Sequence, residues 1–206
     1  MSTDADETPK PRGPGTLYAA IGLLFALLLI GTGAYMWFSG GTPAGMTVGG
    51  AFVLQNGDGK PVTDTDFRGK YMLVYFGYTF CPDVCPTTLN AVADAMDKLG
   101  PKADRIRPLF ITVDPKRDTP DVVKQFAAAF GPRVEGLTGS PSQIAVVAKA
   151  YRVYYAEHRT GSRPDDYTMD HSSVLYLMGP DGRFIAPIRA DMTADQMAVS
   201  LAKLVF

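Results

Sequence analysis

Two cysteines, Cys81 and Cys85, stand in "YFGYTFCPDVCP" with three residues between them, and a proline follows each. The chain holds no other cysteine. Such a pair has three chemical uses: a disulfide staple, a thiol–disulfide redox couple, or half of a metal clamp. Thioredoxin-type redox pairs have two intervening residues. Three make a longer loop, in which both sulfurs can face a common ion as well as each other. Soft thiolates suit Cu(I), and an added imidazole suits Cu(II).

Only two histidines are available. His171 lies in "TMDHSSVLYLMGPDG", directly ahead of a predicted core strand, so a rigid element could hold it at the site. His158 sits in a polar stretch without that support. Cys81, Cys85 and His171 are one short of the four ligands of a structural zinc site. Met169, near His171, is a further atom that could approach a metal. From spacing alone, staple, redox couple and clamp all remain open.

Pro86 constrains the second cysteine. The residue before a proline avoids the α region, and proline suits the first turn of a helix. Cys85 is therefore expected as an extended N-cap residue, its sulfur near the positive end of a helix dipole, which favours thiolate. Cys81, in the loop before it, is the more accessible thiol and the attacker in any disulfide exchange. In "TVDPKRDTP", residues 112–120, Asp114 and Asp118 read as turn and cap residues. The functional alternative puts Asp114 beside the cysteine loop, as a hydrogen-bond acceptor behind it or a contact for a partner, because the ends of adjacent strands converge there. No phosphate loop, nucleophile elbow or HExxH motif occurs.

The elements that must position these groups follow from patterning. "AFVLQNGDGKPV" reads as a hairpin around Asn56–Gly57 and Asp58–Gly59. Residues 71–78, "YMLVYFGY", form a continuous apolar run of buried-strand type. Residues 86–99 carry helical spacing, with Leu89, Val92, Ala93, Met96 and Leu99 on one face and Gly100 as the stop. "PLFITV", residues 108–113, is a second strand. Helices open at Thr119–Pro120 and at Ser140–Pro141, the latter with Gln143 completing a capping box. The segment from Ala156 to Met169 is polar and irregular and reads as a loop or flap. "SSVLYLM" and "FIAPIR" make a hairpin around "GPDGR", and a last helix begins at Thr193 with Gln196 as its box partner. A βαβ half followed by a ββα half is an α/β, thioredoxin-like arrangement: a central mixed sheet flanked by helices. The cysteines fall at the junction of the first central strand and its helix, where a thioredoxin keeps its redox pair.

The chain has 206 residues, 20 basic and 21 acidic, so net charge makes no case for nucleic acid. Residues 17–38, "LYAAIGLLFALLLIGTGAYMWF", carry no charge and have Tyr18, Tyr35 and Trp37 near their ends. About 20 apolar residues cross a bilayer, and a signal-peptide core is shorter, so an uncleaved transmembrane anchor is expected. Lys10 and Arg12 precede the span, and the next basic residue is Lys60. Residues 1–16 are thus a cytoplasmic tail, and the chain is single-pass with its folded part outside. Outside means the periplasm, if the anchor lies in the inner membrane of a Gram-negative bacterium, or else the mitochondrial intermembrane space. Both permit cysteine oxidation. Residues 39–50 read as a flexible tether, and residues 51–206 as one domain.

Three blocks, "YFGYTFCPDVCP", "VDPKRDTP" and "MDHSSVLYLMGPDGRF", resemble in order and content the Sco/SenC family, membrane-anchored copper proteins of cytochrome c oxidase assembly. The resemblance covers residues 48–206. It implies a thioredoxin-like fold and one copper per chain, as Cu(I) or Cu(II), with ligands falling on Cys81, Cys85 and His171. It implies a metallochaperone rather than an enzyme, which delivers copper to the dinuclear site of oxidase subunit II, or prepares the cysteines of that site. An upstream copper chaperone would be its donor. The alternatives are a thiol–disulfide oxidoreductase acting on exported proteins, or a redox or copper sensor. His171 separates clamp from oxidoreductase, since disulfide exchange needs no histidine from across the fold.

Overall fold

A computed structural model describes residues 14–39 and 48–205. The chain divides into two units, Met1–Met46 and Thr47–Phe206. In the first, helix α1 runs Pro14–Ser39 and covers the uncharged segment. Its side chains are described for Tyr18 and residues 21–32, all exposed, which is fewer than a crossing takes. Among the described residues, no helix is long and apolar enough to cross a membrane. The anchor over residues 17–38 therefore rests on sequence, while most of the tail (1–16) and of the tether (39–50) lies outside the described residues.

The second unit is a mixed sheet in the order β2-β1-β5-β4-β3-β8-β9. Its strands are β1 Val53–Asn56, β2 Pro61–Thr63, β3 Tyr71–Gly77, β4 Ile106–Thr112, β5 Glu135–Thr138, β8 Val174–Met178 and β9 Phe184–Arg189. Helices α2 Val84–Leu99, α3 Pro120–Ala128, α4 Pro141–Tyr151 and α5 Ala194–Val205 cover it. The α/β, thioredoxin-like reading holds. β3 is apolar along its length because helices bury both of its faces: Leu73 and Tyr75 pack with Leu89 and Met96 of α2 and Leu201 of α5, while Met72, Val74 and Phe76 pack with Ile144 and Val147 of α4. Each large side chain so buried contributes about 1.5–3 kcal/mol.

The helix openings follow their signals in two cases out of three. Ser140 and Gln143 form the reciprocal box, and Thr193 and Gln196 bond each other's backbone N–H. Thr119 is the N-cap of α3, but its side chain makes no cap hydrogen bond.

One reading is corrected. Residues 156–169 are no irregular flap: β6 Tyr155–Arg159 pairs antiparallel with β7 Tyr167–His171 as a separate two-stranded ribbon. Its polar content comes from the outer face, where Thr168 and Asp170 are exposed while Tyr167 and Met169 point inward.

Register brings three segments to one edge. β3 and β4 are parallel with Gly77 opposite Thr112, and β3 and β8 are antiparallel with Tyr75 opposite Leu175. The loop after β3, the turn after β4 and the segment before β8 consequently meet. These are the cysteine, aspartate and histidine blocks.

Candidate metal centre

α2 begins one residue before Cys85, with Asp83 as N-cap, so Cys85 is a first-turn residue and not the extended cap expected from Pro86. Pro86 fits because the amides of a helix's first turn have no acceptor within the helix. The Cys85 backbone N–H donates instead to Cys81 Sγ at 3.4 Å. The sulfur that caps the helix is therefore that of Cys81.

Cys85 points the other way, into the core, fully buried. The Tyr75 hydroxyl approaches its Sγ at 3.8 Å. Gly77 makes room for it: a β-carbon there would sit 2.6 Å from the sulfur. Burial pushes the Cys85 thiol up to about 12, against a lowering contribution from the Tyr78 backbone. Burial thus works against the Cys85 thiolate expected from the helix dipole.

His171 ends β7. Its Nδ1 faces the Ser172 carbonyl at 3.3 Å, and since a carbonyl only accepts, Nδ1 carries the proton. Nε2 then presents its lone pair to Cys85 Sγ at 3.5 Å. The rings of Tyr75 and Tyr78 stand edge-on to the imidazole, each 6.0 Å from it. Burial holds the His171 pKa below the usual histidine range, so the ring is a neutral ligand at physiological pH.

The donor atoms of Cys81, Cys85 and His171 all lie within 4.8 Å of one another. Two sulfurs and one neutral imidazole nitrogen can hold a soft or borderline ion such as copper. The cluster is half open: Cys81 is only partly buried, and Phe80 and Val84 beside it are 59% and 45% exposed.

Three other candidates stand around this trio or apart from it. His158 pairs with Asp170 at 2.8 Å on the exposed face of the ribbon. Met169 packs in the core cluster that includes Tyr78 and Tyr167. Asp114 is buried, and its carboxylate accepts from Tyr167 Oη at 2.8 Å and from Arg117 Nε at 2.5 Å. The residue that touches the cysteine loop is Asp118. Its carboxylate accepts from the backbone N–H of Thr79 at 3.0 Å, Thr79 Oγ1 at 2.6 Å and Thr112 Oγ1 at 2.5 Å. Nothing in the sequence ranks Asp118 above Asp114, since both are short acids in one turn.

A model of the family described as SCO1/SenC matches residues 41–205. The chain belongs to the SCO1/SenC family. This SCO1/SenC chain is 41% identical to Protein sco1 of Schizosaccharomyces pombe over 153 residues, which is 73% of this chain and 58% of that protein. Against several eukaryotic relatives of this kind the chain spans about half of their length, from 41% to 58%. It is similar to the structure of Bradyrhizobium japonicum ScoI with copper bound, with 43% identity and a TM-score of 0.70 over 76% of this chain and 99% of that one. It is also similar to BsSco, a member of the Sco family of cytochrome c oxidase assembly proteins in which a disulfide switch has been identified. The identity there is 27% and the TM-score 0.58, over 77% of this chain and 94% of that one.

Proposed function

We propose that this protein is a copper-binding metallochaperone of cytochrome c oxidase assembly, which holds one copper per chain on Cys81, Cys85 and His171. The observation that carries the reading is the convergence of two sulfurs and a neutral imidazole within 4.8 Å, from segments 86 residues apart. The copper in the similar ScoI structure supports it. Loading replaces the thiol protons of Cys81 and Cys85, while His171 already offers a free lone pair. Three ligands, with Cys81 only partly buried and exposed, apolar Phe80 and Val84 beside the cluster, suit an ion that is passed on by ligand exchange, where four buried ligands would trap it.

The destination we infer is the dinuclear copper site of oxidase subunit II, with an upstream copper chaperone as donor. We place residues 17–38 across the inner membrane, residues 1–16 in the cytoplasm, and the domain of residues 51–206 in the periplasm on its 39–50 tether. The basis is the uncharged span and the basic residues on its N-terminal side.

A second reading, thiol–disulfide exchange on the target's cysteines, is favoured by the two sulfurs lying within 4.8 Å of each other and by the disulfide switch of BsSco. The deciding experiment isolates the full chain from membranes without added copper and measures metal content together with cysteine redox state. One copper per chain, lost in the Cys81→Ala, Cys85→Ala and His171→Ala variants, supports the clamp. Metal-free protein that is fully active in oxidase assembly and indifferent to His171→Ala would sink it in favour of exchange.

A further inference from the structure

The ribbon of β6 and β7, which ends in His171, is a sheet of its own, separate from the seven-stranded one. Beyond its short chain links to α4 and β8, its place relative to the cysteines depends on side chains, and one turn supplies several of them. Lys116 Nζ donates to Glu157 at 2.7 Å, and Tyr167 Oη donates to Asp114 at 2.8 Å. Arg117 Nη1 donates to the carbonyls of Tyr167 at 3.0 Å and Asp165 at 3.3 Å, while its Nε donates to Asp114. The same guanidinium lies 3.6 Å from the centre of the Tyr167 ring, 4.7 Å from Phe80 and 5.9 Å from Tyr78. Phe80 adjoins Cys81, and Tyr78 stands edge-on to the His171 ring. From the end of the same turn, Asp118 holds Thr79 of the cysteine loop.

Arg117 is chosen for shape as much as for charge. Its side chain is only 9% exposed, and its Nη2 is buried with no hydrogen-bond partner among the described residues. A buried unsatisfied donor costs about 1–3 kcal/mol. A lysine could also pair with Asp114 from this position. It would lack the planar fork that donates to two carbonyls and stacks on rings at the same time.

We propose that Arg117 is the positioning residue that sets the approach of His171 to the two cysteines, with the Asp114–Asp118 turn as the bracket between the two halves of the clamp. Arg117's hydrogen bonds go to Asp114, Asp165 and Tyr167, so it acts on the site through the ribbon and the aromatic rings. Its copper readouts rest on the metallochaperone reading; its copper-free readout does not.

The test uses the full chain carrying Arg117→Lys or Arg117→Met, with His171→Ala as reference. In copper-free protein, amide hydrogen exchange across residues 155–171 should speed up by about tenfold in both Arg117 variants, and stay unchanged in β3 and β4. Cu(II) affinity, which draws on the imidazole, should fall about 10- to 100-fold. Cu(I) affinity, which two thiolates sustain by themselves, should change by less than about twofold. Adding Arg117→Met to His171→Ala should cost no further Cu(II) affinity.

A merely structural role would weaken both oxidation states together and speed exchange throughout the domain, and that result overturns the proposal. So does ribbon exchange at the wild-type rate in both variants. If the unaltered chain binds no copper, the metallochaperone reading fails while the exchange comparison still decides the bracket. If Arg117→Met does not fold, Arg117→Lys, which keeps a cation beside Asp114, carries both measurements.

Discussion

Nε2 of His171 lies 3.5 Å from Sγ of Cys85, although 86 residues of chain separate them. The Ser172 carbonyl fixes the tautomer of the ring, so a lone pair and not an N–H faces the sulfur. In the metal-free protein the Cys85 thiol can donate into that lone pair. An ion that replaces the proton finds the two donors already turned toward each other.

Removing either partner should therefore undo the Cu(II) site. His171→Ala and Cys85→Ala should each abolish the sulfur-to-Cu(II) charge-transfer band and lower Cu(II) affinity by at least about 100-fold. Optical titration of the full chain reads both. Full copper affinity in His171→Ala would leave the three-ligand clamp untenable.

Gly77→Ala tests the space reserved for the sulfur. The added methyl would sit 2.6 Å from Cys85 Sγ and 3.0 Å from Phe110 Cε2, and Cys85 is fully buried. Overpacking of this kind costs about 1–3 kcal/mol. Denaturant unfolding should register that loss, and copper titration should register a displaced sulfur. A variant with unchanged stability would mean that the strand and helix can part at no cost.

Stability of the metal-free protein should fall on both sides of neutrality. His171 has its pKa lowered by burial, so the unfolded chain takes a proton first as pH drops below about 6.5, and stability is lost through that limb. Cys85 has its pKa raised to about 12, so the unfolded chain loses its thiol proton first above about 8.5, and stability is lost from there upward. Tyr75, also raised by burial, adds to the alkaline limb only above about 10. Unfolding free energies across pH should show His171→Ala flattening the acid limb and Cys85→Ala flattening the alkaline one.

The proposed anchor predicts fractionation. The full chain should stay with membranes through alkaline carbonate washing, and a chain lacking residues 1–46 should appear in the soluble fraction. In intact cells, a protease added to the periplasm should reach the domain while leaving the tail protected. Carbonate-soluble full-length protein would remove the anchor.

What could be read in advance depended on whether a local pattern carried the physics. β3 was legible because burial on both faces demands an unbroken apolar run, and α4 because Ser140 and Gln143 complete a local hydrogen-bond circuit around Pro141 at the first helical position. The ribbon of β6 and β7 was missed even though Tyr167, Thr168, Met169 and Asp170 alternate inward and outward. Its partner strand reads Glu157, His158 and Arg159, all exposed and polar, and that polarity masked the period. Asp114 and Asp118 could not be told apart because their targets, Tyr167 and Thr79, come from different segments on either side of the turn.

By itself the sequence determined which atoms are available: two thiols, one histidine ahead of a core strand, and the strand–loop–helix junction that carries the cysteines. It could do so because residue type and short-range patterning encode them. The tertiary structure decided which sulfur does what. Pro86 pointed to Cys85 as an extended cap at a helix dipole, whereas packing against Tyr75 and Gly77 buries Cys85 and leaves the helix N–H to Cys81. Desolvation is set by neighbours distant in sequence, Tyr75 and Gly77 of β3 and His171 of the ribbon, and no spacing along one chain segment reports it.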